Sequence, residues 1–185
     1  LPADESRLSS EEWISSRPVY QGRIVDLTVD QVRLAGGRDA TREVIGHAGA
    51  VVILAVDGDD NVLFVRQYRY PTGRVLLELP AGTLDPEEEP LHCATRELAE
   101  ETGFRAGRWH KLGGFFSAPG YCTEYLHAFL ATELKQGEPQ TDDDEEIESV
   151  MVPLTEVWRL VERGEVEDAK SLATLLLFAR MREGR

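Results

Sequence analysis

The run AGAVVILAV, residues 48–56, constrains the fold most. It is apolar without interruption, the mark of a strand buried on both faces. DGDDN follows as a turn, and VLFVRQYRY returns as the next strand. RVLLELPAG is a further strand ending at Pro80. A helix is predicted over about 90–102, closed by Gly103. WHKLGGFFSAPGY and TEYLHAFLATEL read as two strands around an irregular loop, and SVMVPL as a short strand. Thr155 is the expected N-cap of a helix through Arg163. A last helix is expected over about 168–182, with Leu172, Leu175, Leu176 and Ala179 at helical spacing. Strands and helices mix without a strict βαβ rhythm. That predicts an α+β fold or an α/β/α sandwich rather than a doubly wound sheet. Ahead of it, residues 1–16 are polar and expected to be loosely ordered. VYQGRIVDLTVDQVRLAGGRD alternates at Val25, Leu27 and Val29, then shifts phase to Val32 and Leu34. It reads as a strand with a bulge or bend, stopped by Gly36–Gly37.

Charge narrows the function. The 185 residues carry 20 basic and 34 acidic side chains, a net charge of −14. That argues against a nucleic-acid duplex or an anionic membrane as partner. It leaves room for a phosphorylated small molecule, because a metal can supply local positive charge. No apolar run approaches the ~20 residues of a membrane span. LPADESRLSS lacks a basic end followed by an apolar core, so a signal peptide is not expected there. Cys93 and Cys122 have no metal-type spacing, and a reduced, cytoplasmic setting fits them best. His47, His92, His110 and His127 show no metal spacing either. A calcium loop beginning at Asp57 is excluded, because Val62 and Tyr68 stand where it needs glycine and a bidentate acid.

The chemistry concentrates in GTLDPEEEPLHCATRELAEETGF, Gly82 to Phe104. Glu97, Glu100 and Glu101 fall near one helix face, where like charges repel by roughly 0.2–0.5 kcal/mol per pair. A solvated acidic face tolerates that cost, and a bound divalent cation reverses its sign. Gly82, Glu88, Arg96, Glu97, Leu98, Glu100, Glu101, Gly103 and Phe104 match the Nudix box at nine fixed positions over 23 residues. The chain therefore resembles a Nudix hydrolase, over residues from about 20 to 180. The resemblance implies the Nudix fold, an α+β fold with an α/β/α sandwich on a mixed sheet, and a loop-helix-loop that holds a divalent metal, usually Mg2+, with Mn2+ as a substitute. It implies Glu97 and Glu101 as main ligands, Glu100 assisting, and the backbone carbonyl of Ala81 completing the set. Glu88 and Arg96 are the implied anchor between loop and helix, and Gly82 and Gly103 allow tight turns. The residue types suit the ion, since magnesium prefers oxygen donors. Glu97 and Glu101 lie one helical turn apart, ~6 Å along the axis.

Further features resemble the ADP-ribose pyrophosphatase branch. Pro119 falls 15 residues after Phe104, in SAPGYCTE, and VLFVRQYRYP is followed by LLELPAG. The implied substrate is ADP-ribose, cleaved to AMP and ribose 5-phosphate. Another nucleoside diphosphate sugar or an oxidised nucleotide is the alternative. A non-hydrolytic nucleotide sensor is a further reading, but it predicts losses among the box glutamates, and this box is complete. Arg66 and Arg69, three apart on one strand, should face opposite sides, so only one reaches the site. The resemblance favours Arg69 for substrate contact, with Arg66 as the other candidate and Glu78 facing substrate or metal water. Members of the branch are dimers that exchange N-terminal strands. This implies an extension over 1–45, a hydrolase domain over 46–185, and a homodimer whose sites borrow Arg23, Arg33 or Arg42. The implied base lies on the acidic loop TDDDEEIE: Glu145 first, with Glu146 or Asp143 under a shift of alignment. Glu100 and Glu124 are the next candidates. Phe115, Phe116 and Tyr121 form an aromatic group able to stack on adenine, although core packing is the default for the two phenylalanines.

Overall fold

A computed structural model describes residues 11–137 and 146–184. They fall in two compact units, Leu1–His47 with Ala118–Glu124, and Ala48–Ser117 with Tyr125–Arg185.

The first unit is a three-stranded antiparallel sheet of β1 (Glu12–Gln21), β2 (Asp26–Arg33) and β3 (Asp39–Gly46), in that order. Two expectations are corrected here. Strand structure starts at Glu12, inside the stretch expected to be loose. The segment read as one bulged strand is a hairpin, turned where Gly22 N–H donates to Val25 O at 3.0 Å. The bulges lie in the pairing of β1, at Trp13–Ser15 and Pro18–Tyr20, while β2 pairs β3 without a shift. Gly37, with φ 79°, supplies the left-handed turn expected at Gly36–Gly37. All ten residues of β1 are exposed, Trp13 and Tyr20 among them. Residues 118–124 form a turn that joins this unit, as Ile45 N–H donates to Tyr121 O and Thr123 N–H to Ile45 O.

The second unit is a layered sandwich. Its seven-stranded sheet runs β10-β5-β4-β9-β8, with β6 beside β5 and β7 beside β4. The strands are β4 (Ala50–Val56), β5 (Asn61–Arg69), β6 (Arg74–Glu78), β7 (Ala81–Thr83), β8 (Phe104–Phe116), β9 (Tyr125–Gln136) and β10 (Ile147–Pro153). The β4–β9 pair is parallel and the other pairs are antiparallel, so the sheet is mixed as expected. Every residue of β4 is buried. Its alternate side chains feed two cores. Val52, Leu54 and Val56 pack with Val157 of α2 (Leu154–Glu162) and with Leu175 and Phe178 of α3 (Ala169–Glu183). Val51, Ile53 and Ala55 pack with Cys93, Ala94 and Leu98 of α1 (Pro90–Thr102). A strand with no polar face requires both layers.

Two helix details differ from expectation. The N-cap of α2 is Pro153, and Thr155 lies inside the first turn. Leu154 N–H is held instead by Asp60 O at 2.9 Å, so the β4–β5 turn fixes this helix start. In α3, Leu176 points outward at 61% exposure, and the buried face is Ser171, Thr174, Leu175 and Phe178. Apolar spacing alone hid the two small polar residues on that face.

Candidate active site

Helix α1 places the acidic residues. Pro90 starts it without needing an N–H partner, and Gly103 ends it with φ 73° while donating its N–H to Ala99 O. Cys93, Ala94 and Leu98 lock one face onto the sheet, which leaves Glu97 and Glu101 turned to the strand just before the helix. Glu101 is only 7% exposed, and its Oε2 accepts a hydrogen bond from Ala81 N–H at 3.3 Å. Glu97 lies over Gly82, where a Cβ would fall 1.8 Å from its carboxyl carbon. Any side chain at position 82 would push that carboxylate away. Two carboxylates from one helix face thus bracket the Ala81–Gly82 backbone.

Arg96 ties the preceding loop to the helix. Its Nε and Nη2 donate to the two oxygens of Glu88 at 3.1 and 2.9 Å, a bidentate fork. Its Nη1 donates to Glu97 at 2.7 Å and to Glu100 at 3.0 Å, and Nη2 also reaches Thr83 O at 3.3 Å. The hydrogen bonds from Arg96 hold the Glu88 carboxyl down to about 2. Burial pushes the Cys93 thiol up, which suits packing rather than nucleophilic chemistry.

The strands before the box carry a second cluster. The β5–β6 register is unbroken from Val65–Glu78 to Arg69–Arg74, so Arg66 and Arg69 point to opposite faces. Arg69 turns inward. Its Nε and Nη2 donate to Glu78, the latter at 2.7 Å. Arg66 turns outward to Glu148 at 3.5 Å. Glu78 is 2% exposed and also accepts from Lys170 Nζ at 2.6 Å. Burial alone would raise the Glu78 pKa, but Arg69 and Lys170 outweigh it and the carboxyl sits below its ordinary value. Lys170 and its neighbour Asp168 belong to the start of α3, and sequence reasoning did not single them out. Only the closeness of Asp168 and Lys170 hinted at them, since nothing in spacing links position 170 to position 78.

The remaining candidates belong to other elements. Pro119, Tyr121 and Glu124 are in the unit of β1–β3, where His47 Nε2 stands 3.8 Å from Glu124. In that unit Arg33 pairs with Asp39 at 2.9 Å, Arg42 pairs with Glu11, and Arg23 is exposed. Phe115 packs at the edge of the core, while Phe116 is exposed and meets Tyr125 edge-on at 5.0 Å. Glu145 and Asp143 lie outside the described residues, and Glu146 is exposed at their border. A cavity of about 680 Å³ lies along the Arg96–Glu100 side of α1, but neither Glu97 nor Glu101 lines it.

The donor set suits a hard divalent cation. Glu97, Glu101 and the Ala81 carbonyl offer oxygen only, which fits magnesium or manganese better than zinc or copper. Among the described residues no three acid, histidine or cysteine side chains already converge as a closed cage. Magnesium keeps several waters and does not need one.

Residues 46–175 match the NUDIX domain, and residues 8–45 match the nucleoside diphosphate sugar hydrolase N-terminal domain. The chain belongs to the Nudix family. It is a pyrophosphohydrolase of nucleoside diphosphate sugars. It is 40% identical over 163 residues to an ADP-ribose pyrophosphatase of Bacillus subtilis, covering 87% of this chain and 88% of that one. It is 43% identical over 168 residues to an ADP-ribose pyrophosphatase of Mycobacterium tuberculosis, covering 89% and 81%. A GDP-mannose pyrophosphatase of Klebsiella pneumoniae is 36% identical over 183 residues, covering 92% and 87%. The crystal structure of an ADP compounds hydrolase superposes with a TM-score of 0.85 at 24% identity, covering 96% of both chains, which confirms the fold. Among the described residues no helix is long and apolar enough to cross a membrane.

Proposed function

We propose that the chain hydrolyses ADP-ribose to AMP and ribose 5-phosphate with Mg2+, for which Mn2+ can substitute. The observation that carries this is the bracket of Glu97 and Glu101 around Ala81–Gly82. These carboxylates and the Ala81 carbonyl hold the cation, with Glu100 assisting. When bound, a divalent cation neutralises diphosphate charge and makes water a better nucleophile. Arg69 offers guanidinium donors to a diphosphate oxygen. Glu145 takes the proton of the attacking water, whose oxygen bonds to one phosphorus as the bridging P–O bond breaks. Pro119 shapes the substrate loop. The ADP-ribose relatives support the sugar assignment, while the Klebsiella relative favours a second reading, a GDP sugar.

The division into an extension over 1–45 and a hydrolase domain over 46–185 belongs to the same reading. So does a homodimer that exchanges N-terminal strands, supported by the wholly exposed β1. A cytoplasmic location accords with two unbridged cysteines. Product analysis after incubation with Mg2+ and a panel of nucleoside diphosphate derivatives tests the substrate. ADP-ribose should be cleaved best, giving AMP and ribose 5-phosphate. Much faster cleavage of nucleoside triphosphates would refute the assignment.

A further inference from the structure

Helix α3 begins on a chain of charges that the reaction does not obviously need. Asp168 caps the helix, accepting from Ser171 N–H at 3.1 Å, and its Oδ1 also accepts from Lys170 Nζ at 2.9 Å. Lys170 Nζ reaches Glu78 at 2.6 Å, and Glu78 in turn holds Arg69 at 2.7 Å. Next along the chain, Leu79 N–H donates to the buried Ser171 Oγ at 2.8 Å. The first turn of α3 thus grips both the side chain and the backbone that lead into Pro80 and Ala81.

Stability is a weak reason for such an arrangement. Buried ion pairs are often matched or bettered by apolar residues of similar volume, because removing charge from water is costly. Orientation accounts for it better. Arg69 is held by Glu78, three residues before Ala81, so its guanidinium is anchored to the chain that leads into the bracketed backbone. The Arg69 side chain remains 36% exposed while Glu78 is 2% exposed. Glu78 and Asp168 are two acids, and Lys170 and Arg69 are two cations. Without Lys170, Glu78 would be left to Arg69, drawing the guanidinium donors inward.

We infer that Lys170 is a positioning residue: by holding Glu78 and Asp168 it leaves Arg69 oriented to receive the diphosphate of the substrate. The inference rests on the reading of Arg69 as a diphosphate contact given above.

A double-mutant cycle tests it, with calorimetric affinity for ADP in the presence of Mg2+ as the readout. Lys170→Met should weaken ADP binding about tenfold when Arg69 is present, and less than about twofold in an Arg69→Ala background, because residues acting through one another are not additive. Lys170→Arg keeps the charge and should stay within about threefold of the native protein. Lys170→Gln takes the place of the methionine variant in the cycle if that variant does not fold. Equal losses in both backgrounds, no loss in either, or a native protein that does not bind ADP would overturn the inference. A native protein that shows the coupling but cleaves no nucleoside diphosphate sugar would refute the proposed reaction and leave the role of Lys170 standing.

Discussion

Two charge clusters flank the Ala81–Gly82 segment, and they are built differently. The Arg96 cluster is local: Thr83, Glu88, Glu97 and Glu100 all lie between the end of β7 and the end of α1. The Glu78 cluster is assembled from β5, β6 and the start of α3. Its central acid is 2% exposed, whereas Glu88, Glu97 and Glu100 are 15%, 14% and 43% exposed. The first cluster grips the chain just after Gly82, through the Thr83 carbonyl. The second grips it just before Ala81, through Glu78 and Leu79. Fixing both ends of a short backbone segment holds it in place without a rigid cage around it. That is the preorganisation a site depends on, because small misplacements cost rate.

The comparison can be broken most severely at the helix face itself. Glu101→Gln keeps an acceptor for Ala81 N–H but removes charge, so turnover should fall by roughly a thousandfold, with the far-ultraviolet circular dichroism unchanged. Near-native turnover by the folded variant in chelator would sink the assignment. Glu145→Gln should lower kcat by about a hundredfold while KM moves much less, since a base acts on chemistry rather than binding. Undiminished turnover in Glu145→Gln, in the Glu146→Gln and Asp143→Asn controls, and in all three combined would place the base off that loop.

The local cluster should also leave a pH signature. The Glu88 carboxyl, ordinarily near 4.5, is held down to about 2, so its stabilising effect is complete above 4.5 and is lost as pH falls through 2. Glu88→Gln should therefore cost about 1–3 kcal/mol at neutral pH, and the gap in unfolding midpoint should narrow as pH falls from 4.5 toward 2. A gap that stays constant with pH would show that the Arg96 pair does not hold the loop. The smallest effect is expected at Arg66, whose partner Glu148 is 68% exposed. Arg66→Ala should cost less than about 1 kcal/mol by denaturant melt. A larger loss would mean that the outward arginine is structural.

The same contrast explains what the sequence made legible. The shared face of Glu97 and Glu101 was readable because helix geometry turns their spacing into proximity, while the pairing of Glu88 with Arg96 was readable only through the resemblance of the box. The both-faces burial of 50–56 was readable because an uninterrupted apolar run has no polar side to expose. Lys170 was not readable, because its partner lies 92 positions away and the packing of α3 against the sheet brings them together. The hairpin of β1 and β2 was missed because β1 is exposed along its whole length and carries no burial pattern to betray it. Thr155 had the right chemistry for a cap, but a backbone bond from the β4–β5 turn settled the helix start instead.

The most direct measurement of the central claim is metal binding itself. Titrating the protein with Mn2+ under electron paramagnetic resonance separates bound from free ion without any substrate. The account predicts that the native protein binds Mn2+, that Mg2+ competes, and that Glu97→Gln combined with Glu101→Gln abolishes binding while the fold persists. Undiminished Mn2+ binding by that folded double variant would contradict the assignment of Glu97 and Glu101 as the ligands that bracket Ala81–Gly82.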